Sequence, residues 1–114
     1  MRPTIPLMLF VALSSGSLSP GCALDPVRTE AHARVDRGAV LLDVRTAEEF
    51  ASGHVEGAIN IPLDQLDERM AELGTKDQPV VVYCRSGKRS ASATRMLHVA
   101  GFTKVLDLGP MARW

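Results

Sequence analysis

Apolar residues in this chain fall into short runs separated by stretches of helical period. Ala39-Val40-Leu41-Leu42-Asp43-Val44 and Pro79-Val80-Val81-Val82-Tyr83 are nearly continuous apolar segments, β-branched in part. That is the pattern of strands covered on both faces. Ala58 to Ile61 and Lys104 to Leu108 read as two further strands. Between them lie helix signals. Asp25 caps a helix whose first position is Pro26; Val27, Ala31 and Val35 recur at helical spacing, and Gly38 stops it. Thr46 and Glu49 form a capping box for a short helix ending near Gly53. Leu63, Leu66, Met70 and Leu73 trace one helical face before Gly74, and Ser90 to Ala100 predicts the last inter-strand helix. Strands alternating with helices predict an α/β domain: a parallel sheet of four to five strands flanked by helices on both faces.

Composition narrows the picture. With 114 residues the chain is one domain, and with one Trp, one Tyr and three Phe its core must be aliphatic. Lys plus Arg equals Asp plus Glu at 13 each, so no bulk charge points to nucleic acid. His32 and His98 fall within predicted helices without companions at metal-ligand spacing, so neither a metal nor a cofactor is expected.

The chemistry concentrates in Cys84-Arg85-Ser86-Gly87-Lys88-Arg89, between the predicted strand ending at Tyr83 and the helix beginning at Ser90. A loop entering a helix N-terminus aims several backbone N–H groups into one small volume, and the helix dipole adds positive potential. Arg85, Lys88 and Arg89 add three cations. Such a place lowers the pKa of a thiol and holds an anion, which suits Cys84 to nucleophilic attack on an anionic substrate. A buried packing cysteine would not be followed by so polar a loop. In open α/β sheets ligands bind at the carboxyl ends of the strands, where Cys84 falls.

Four segments together resemble the rhodanese (thiosulfate sulfurtransferase) family: Leu41-Leu42-Asp43-Val44-Arg45; Gly53-His54-Val55-Glu56-Gly57-Ala58-Ile59-Asn60-Ile61-Pro62; Val82-Tyr83-Cys84 through Ser90; and Gly101 to Met111. The resemblance implies a single rhodanese-like domain with Cys84 carrying sulfane sulfur as a persulfide. It also implies that Arg85, Ser86, Gly87, Lys88 and Arg89 bind the substrate, Arg89 being best placed to span the loop. Phosphatases of related architecture place five residues between cysteine and arginine. Here only Arg85, Ser86, Gly87 and Lys88 intervene, a cradle one residue too short for that pattern. The charged loop favours thiosulfate, a compact dianion, as donor. Cyanide, a small thiol or a partner protein is the expected acceptor. A cysteine-dependent phosphatase or arsenate-type enzyme and a non-catalytic rhodanese-like binding module are the alternatives.

The resemblance gives His54 a packing role, and a thiolate stabilised by amides needs no separate base. Asp43 and Arg45 read as an ion-pair node bracing the loops, with Glu48 or Glu49 as a further partner for Arg45. Pro110 stands where many family members have a second glycine, which alters the turn beneath the site, and Trp114 either caps the core or hangs free.

The first two dozen residues differ in kind. Arg2 precedes the apolar stretch Ile5 to Leu13, followed by Ser14-Ser15-Gly16-Ser17 and Gly21-Cys22-Ala23. This pattern predicts a signal peptide over residues 1–23, a rhodanese-like domain over 24–114, and a periplasmic or secreted protein of a bacterium. Alternatively Gly21-Cys22 ends a lipoprotein signal at residue 21, although Ser19 stands where an aliphatic residue is usual; a membrane then enters only through lipidated Cys22. Either route leaves Cys84 as the one free thiol.

Overall fold

The central strand forms because every residue of Val80–Cys84 is fully buried, so an apolar β-branched run is its only economical sequence. The computed structural model describes residues 24–114; the expected signal segment, including Gly21 and Cys22, lies outside the described residues. Its elements in order are α1 (Pro26–Asp36), β1 (Val40–Asp43), α2 (Ala47–Ala51), β2 (Ile59–Asn60), α3 (Leu66–Arg69), β3 (Val80–Cys84), α4 (Lys88–Val99) and β4 (Val105–Pro110). The strands make a four-stranded parallel sheet in the order β2-β1-β3-β4. This is the expected α/β architecture.

Period-two alternation divides the core between the sheet's faces. Leu41, Val81, Tyr83 and Leu108 pack with Ala31 of α1, with Val27 and Val35 beside it. Leu42, Val44, Val80, Val82 and Cys84 pack with Leu66, Leu73, and Ala93 and Leu97 of α4. Each fully buried Leu or Val contributes roughly 1.5–3 kcal/mol relative to exposure. An aliphatic core of this kind holds the small domain together.

Three elements depart from expectation. Leu63 to Leu73 is not one helix but a 3-10 turn (Leu63–Gln65), the short α3, and a second 3-10 turn (Met70–Leu73). The apolar spacing explains the break. Leu63 to Leu66 and Met70 to Leu73 are three residues apart, matching the 3-10 repeat, whereas Leu66 to Met70 is four apart and matches the α repeat. Second, α4 begins at Lys88 rather than Ser90, because Gly87 at φ +97° turns the chain directly into the helix and its carbonyl accepts from Ala91 N–H at 3.1 Å. Third, β4 runs on to Pro110, with a register shift that pairs Val82 with Asp107 but Tyr83 with Gly109 and Cys84 with Pro110. The resulting bulge brings Pro110 beneath the loop: a Cβ placed on Gly87 would lie 3.5 Å from Pro110 Cδ. Trp114 caps rather than hangs, stacking on His32 of α1 at 3.7 Å between ring centroids.

At the carboxyl end of β1 the sheet carries a buried ion pair. Asp43 is fully buried and Arg45 is 5% exposed. Arg45 donates from Nε to both Asp43 oxygens (3.1 and 3.0 Å), from Nη2 to Oδ2 (2.7 Å), and through its backbone N–H to Oδ1 (2.9 Å). Nη2 also donates to the Gly53 carbonyl at 2.7 Å, which ties down the loop after α2. The further carboxylate partner expected for Arg45 is not used; Glu49 pairs elsewhere. Asn60 Nδ2 donates to the carbonyls of Asp43 (3.1 Å) and Arg45 (2.9 Å), clamping β2 to the same node.

Removing one partner strands the other as an uncompensated buried charge. Asp43→Ala should therefore lower unfolding stability by about 3–5 kcal/mol. The change is read from the denaturant midpoint at constant slope.

Candidate active site

Cys84 is the last residue of β3 and is fully buried. From there the chain makes a tight loop over Arg85-Ser86-Gly87, and α4 starts at once. The first turn of any helix has N–H groups without intrahelical acceptors, and here they face the thiol. Gly87 N–H donates to Cys84 Sγ at 3.0 Å. Burial pushes the thiol pKa up, but the backbone N–H and hydroxyl of Ser90 and the N–H groups of Gly87 and Ser86 more than offset it, so the net shift is downward. The site can therefore hold a thiolate that water does not solvate.

Ser90 stands at the expected start of the helix, where it carried no assigned role in the site. It is fully buried, its hydroxyl donates to the Gly87 carbonyl at 3.0 Å, and it both pins the loop and stabilises the sulfur. A small polar residue at the third position of a helix that begins on a cysteine loop is the signal that pointed to it.

The three loop cations separate in the structure. Arg85 and Lys88 are exposed, and among the described residues neither has an ion-pair partner within 4.0 Å. Arg89 instead lies in the first turn of α4. Its Nη1 and Nη2 donate to Glu49 Oε1 (2.7 Å) and Oε2 (2.9 Å), a bidentate pair joining α4 to α2. The sequence-based placement of Arg89 as a free cation spanning the loop thus meets a competing partner, because starting α4 at Lys88 turns residue 89 toward α2. Glu49 keeps its capping-box role as well: Thr46 N–H donates to its Oε1, and its own N–H donates to Thr46 Oγ1, both at 3.2 Å. The Arg89 guanidinium and these caps hold the Glu49 carboxyl down at about 2.

Tyr83 lies next to Cys84 on the opposite face of β3. Its hydroxyl accepts from Val55 N–H at 3.1 Å, and burial together with the neighbouring Asp43 carboxylate pushes its pKa up to about 12. It is a neutral brace at any working pH. His54 donates from Nδ1 to the Phe50 carbonyl at 2.8 Å and stacks on the Phe50 ring at 3.6 Å, so its ring is occupied in packing. Among the described residues no three His, Cys, Asp or Glu side chains converge as a metal site would require.

The rhodanese-like domain family matches residues 27–113, nearly the whole of the described fold. The chain belongs to the rhodanese family. It is 44% identical over 79 residues to the uncharacterized protein YqhL of Bacillus subtilis, covering 68% of this chain and 62% of that protein. It is 42% identical over 69 residues to the thiosulfate sulfurtransferase PspE of Escherichia coli, covering 60% of this chain and 66% of that protein. In both comparisons the rhodanese chain spans less than two thirds of its relative's length. A solved structure described as a rhodanese with anions from E. coli superposes with a TM-score of 0.64 at 38% identity, covering 67% of this chain and 91% of that one. The cysteine loop between β3 and α4, with its converging N–H groups, thus sits on a rhodanese fold.

Two outcomes follow from this geometry. The pH midpoint for alkylation of Cys84 by iodoacetamide should lie below the ordinary thiol range near ~8.5. Ser90→Ala should move it upward, because one of the hydrogen bonds to the anion is lost. Glu49 titrates at about 2 when folded against 4.5 normally, so its pair contributes fully above pH 4.5 and is lost as pH falls toward 2. Wild type should therefore lose stability more steeply than Glu49→Gln across that window, measured by chemical denaturation at each pH.

Proposed function

We propose that this rhodanese is a thiosulfate sulfurtransferase that carries sulfur as a persulfide on Cys84. The observation that carries the reading is the Cys84 sulfur, buried at the end of β3 with Gly87 N–H at 3.0 Å and further donors of α4's first turn around it. A thiolate so placed is a ready nucleophile, and exposed Arg85 and Lys88 attract an anion to the loop. The Cys84 thiolate attacks the outer sulfur of thiosulfate. A Cys84–sulfur bond forms, the sulfur–sulfur bond of the donor breaks, and sulfite leaves with its electron pair. The same N–H groups then hold the persulfide anion until an acceptor thiol or cyanide removes the outer sulfur.

Burial favours a compact donor. Cys84 has no exposed surface in the resting form, so a reagent must enter through the loop mouth, and the small thiosulfate dianion suits that passage and the charge around it. PspE, named a thiosulfate sulfurtransferase, supports the same donor.

Mass spectrometry of the protein after thiosulfate exposure should show one added sulfur on Cys84, and Cys84→Ser should show none and produce no thiocyanate from thiosulfate and cyanide. Appreciable thiocyanate from that variant would sink the assignment. Arg89→Ala leaves Glu49 as an uncompensated carboxylate beside the site and removes a brace of the loop. Because that pair is partly exposed and screened, Arg89→Ala should lower kcat/KM by about two- to fivefold. Arg85→Ala and Lys88→Ala should act more weakly, and their effect should fade as salt is raised.

We also propose that residues 1–23 direct export and are removed. N-terminal analysis of the mature protein should find a start near Leu24, or an acylated Cys22; an intact Met1 in the cytosol overturns the proposal.

A further inference from the structure

A groove of about 310 Å3 lies between the carboxyl ends of β1 and β2 and the first turn of α4, lined by Val44, Thr46, Pro62, Leu63, Asp64 and Arg89. Its floor is carbon. Val44 and Pro62 are buried and Leu63 is partly so, with Leu63 N–H held on the Val44 carbonyl at 3.1 Å. Val44 belongs to the same packed cluster as Cys84, and Arg89 stands in the helical turn whose N–H groups face the sulfur. The groove therefore adjoins the reacting centre.

Its electrostatics do not suit the donor. The one cation on its wall, Arg89, is spent on Glu49 through two hydrogen bonds, and Asp64 adds a carboxylate at the rim. Arg85 and Lys88, which have no ion-pair partner among the described residues, line neither wall. A thiosulfate dianion gains nothing there, and cyanide is too small to use the space. An uncharged hydrocarbon stem gains by leaving water for the Val44, Pro62 and Leu63 surfaces.

We infer that this groove is the acceptor subsite and takes the uncharged hydrocarbon stem of a thiol, an inference that rests on the persulfide reading of Cys84. With the stem seated, the acceptor thiol passes its proton to the outer sulfur of the Cys84 persulfide anion, and the thiolate so formed attacks that sulfur. A new bond forms between the acceptor sulfur and the outer sulfur, and the bond from the outer sulfur to Cys84 Sγ breaks. Its electron pair returns to Sγ as thiolate, which the loop N–H groups already stabilise, and the proton leaves on the acceptor's new persulfide. The subsite thus makes the carbon skeleton of the acceptor a determinant of rate.

The test uses the protein charged with sulfur by thiosulfate, with persulfide counted by mass, and ω-hydroxyalkanethiols of two to six carbons as acceptors. The second-order rate constant for sulfur removal should rise about two- to fourfold per methylene until the groove is filled, and Leu63→Asn should flatten the series. A flat series in the wild type, or an equally steep one in Leu63→Asn, overturns the inference. Should Leu63→Asn fail to fold, titration of the wild type with 1-pentanol decides. Saturable shifts of the Val44 and Leu63 methyl resonances support the subsite, and their absence overturns it. Failure of the wild type to take up sulfur at all would be a different result, overturning the persulfide reading of Cys84 itself.

Discussion

A buried anion must be stabilised by dipoles that are already in place, because the water that would solvate it is gone. That constraint organises this molecule around Cys84. The strand carrying it is buried over its whole length, the loop after it is three residues long, and α4 begins on the fourth residue beyond the cysteine. Gly87 is where the constraint is sharpest. Its φ of +97° turns the chain so that its own N–H reaches the sulfur and those of the next turn follow. A residue with a side chain would be strained at that φ, although its Cβ would meet Pro110 only at ordinary contact distance. Burial alone would raise the thiol pKa; the donors win because several act on one atom.

Preorganised dipoles are useful only if they stay still, and two ion pairs of different kinds hold them. Asp43 and Arg45 are buried and bonded four times over, with the Gly53 carbonyl and Asn60 completing the node. Such a pair adds little net stability over an apolar substitute of the same shape, but it is unforgiving of losing one member, which makes it a device for fixing geometry. It fastens β1, β2 and the loop after α2 into one rim. Glu49 and Arg89 are partly exposed, so solvent screens them and their worth is modest. Their value is positional: the bidentate fork permits one relative placement of α2 and α4 and sets how much of the Arg89 charge the site feels.

Local pattern reveals what local forces decide. Strands β1 and β3 were plain in the sequence because burial on both faces leaves an apolar run, and α1 and α2 because Asp25 with Pro26, and Thr46 with Glu49, satisfy helix ends through neighbours in the chain. The cysteine loop was plain for the same reason: its residue types are adjacent. What stayed hidden depends on contacts distant in sequence. Glu49 and Arg89 are 40 residues apart, and the capping box gave Glu49 a sufficient local explanation that concealed its second partner. The start of α4 was misplaced by two residues because Lys88 and Arg89 read as part of the charged loop, whereas Gly87 could take the positive φ that let the helix begin sooner. The bulge that seats Pro110 under the loop is likewise a property of two strands in register, not of either alone.

The placement of charge also divides the site into two unlike sides. Around the loop mouth the groups free to act are cationic, Arg85 and Lys88, over a cluster of N–H donors. Toward β1 and β2 the cation is neutralised, and the exposed atoms are carbon with one carboxylate. A two-step transfer makes opposite demands at its two stages: first an anion must be drawn in and its leaving group released, then a nucleophile of different chemistry must reach the same sulfur. A uniformly basic rim would favour the first step and retain its anionic product. Pairing Arg89 with Glu49 limits that field without removing the guanidinium, so that under the proposed transfer one short loop would serve an anion on one side and a carbon-bearing acceptor on the other.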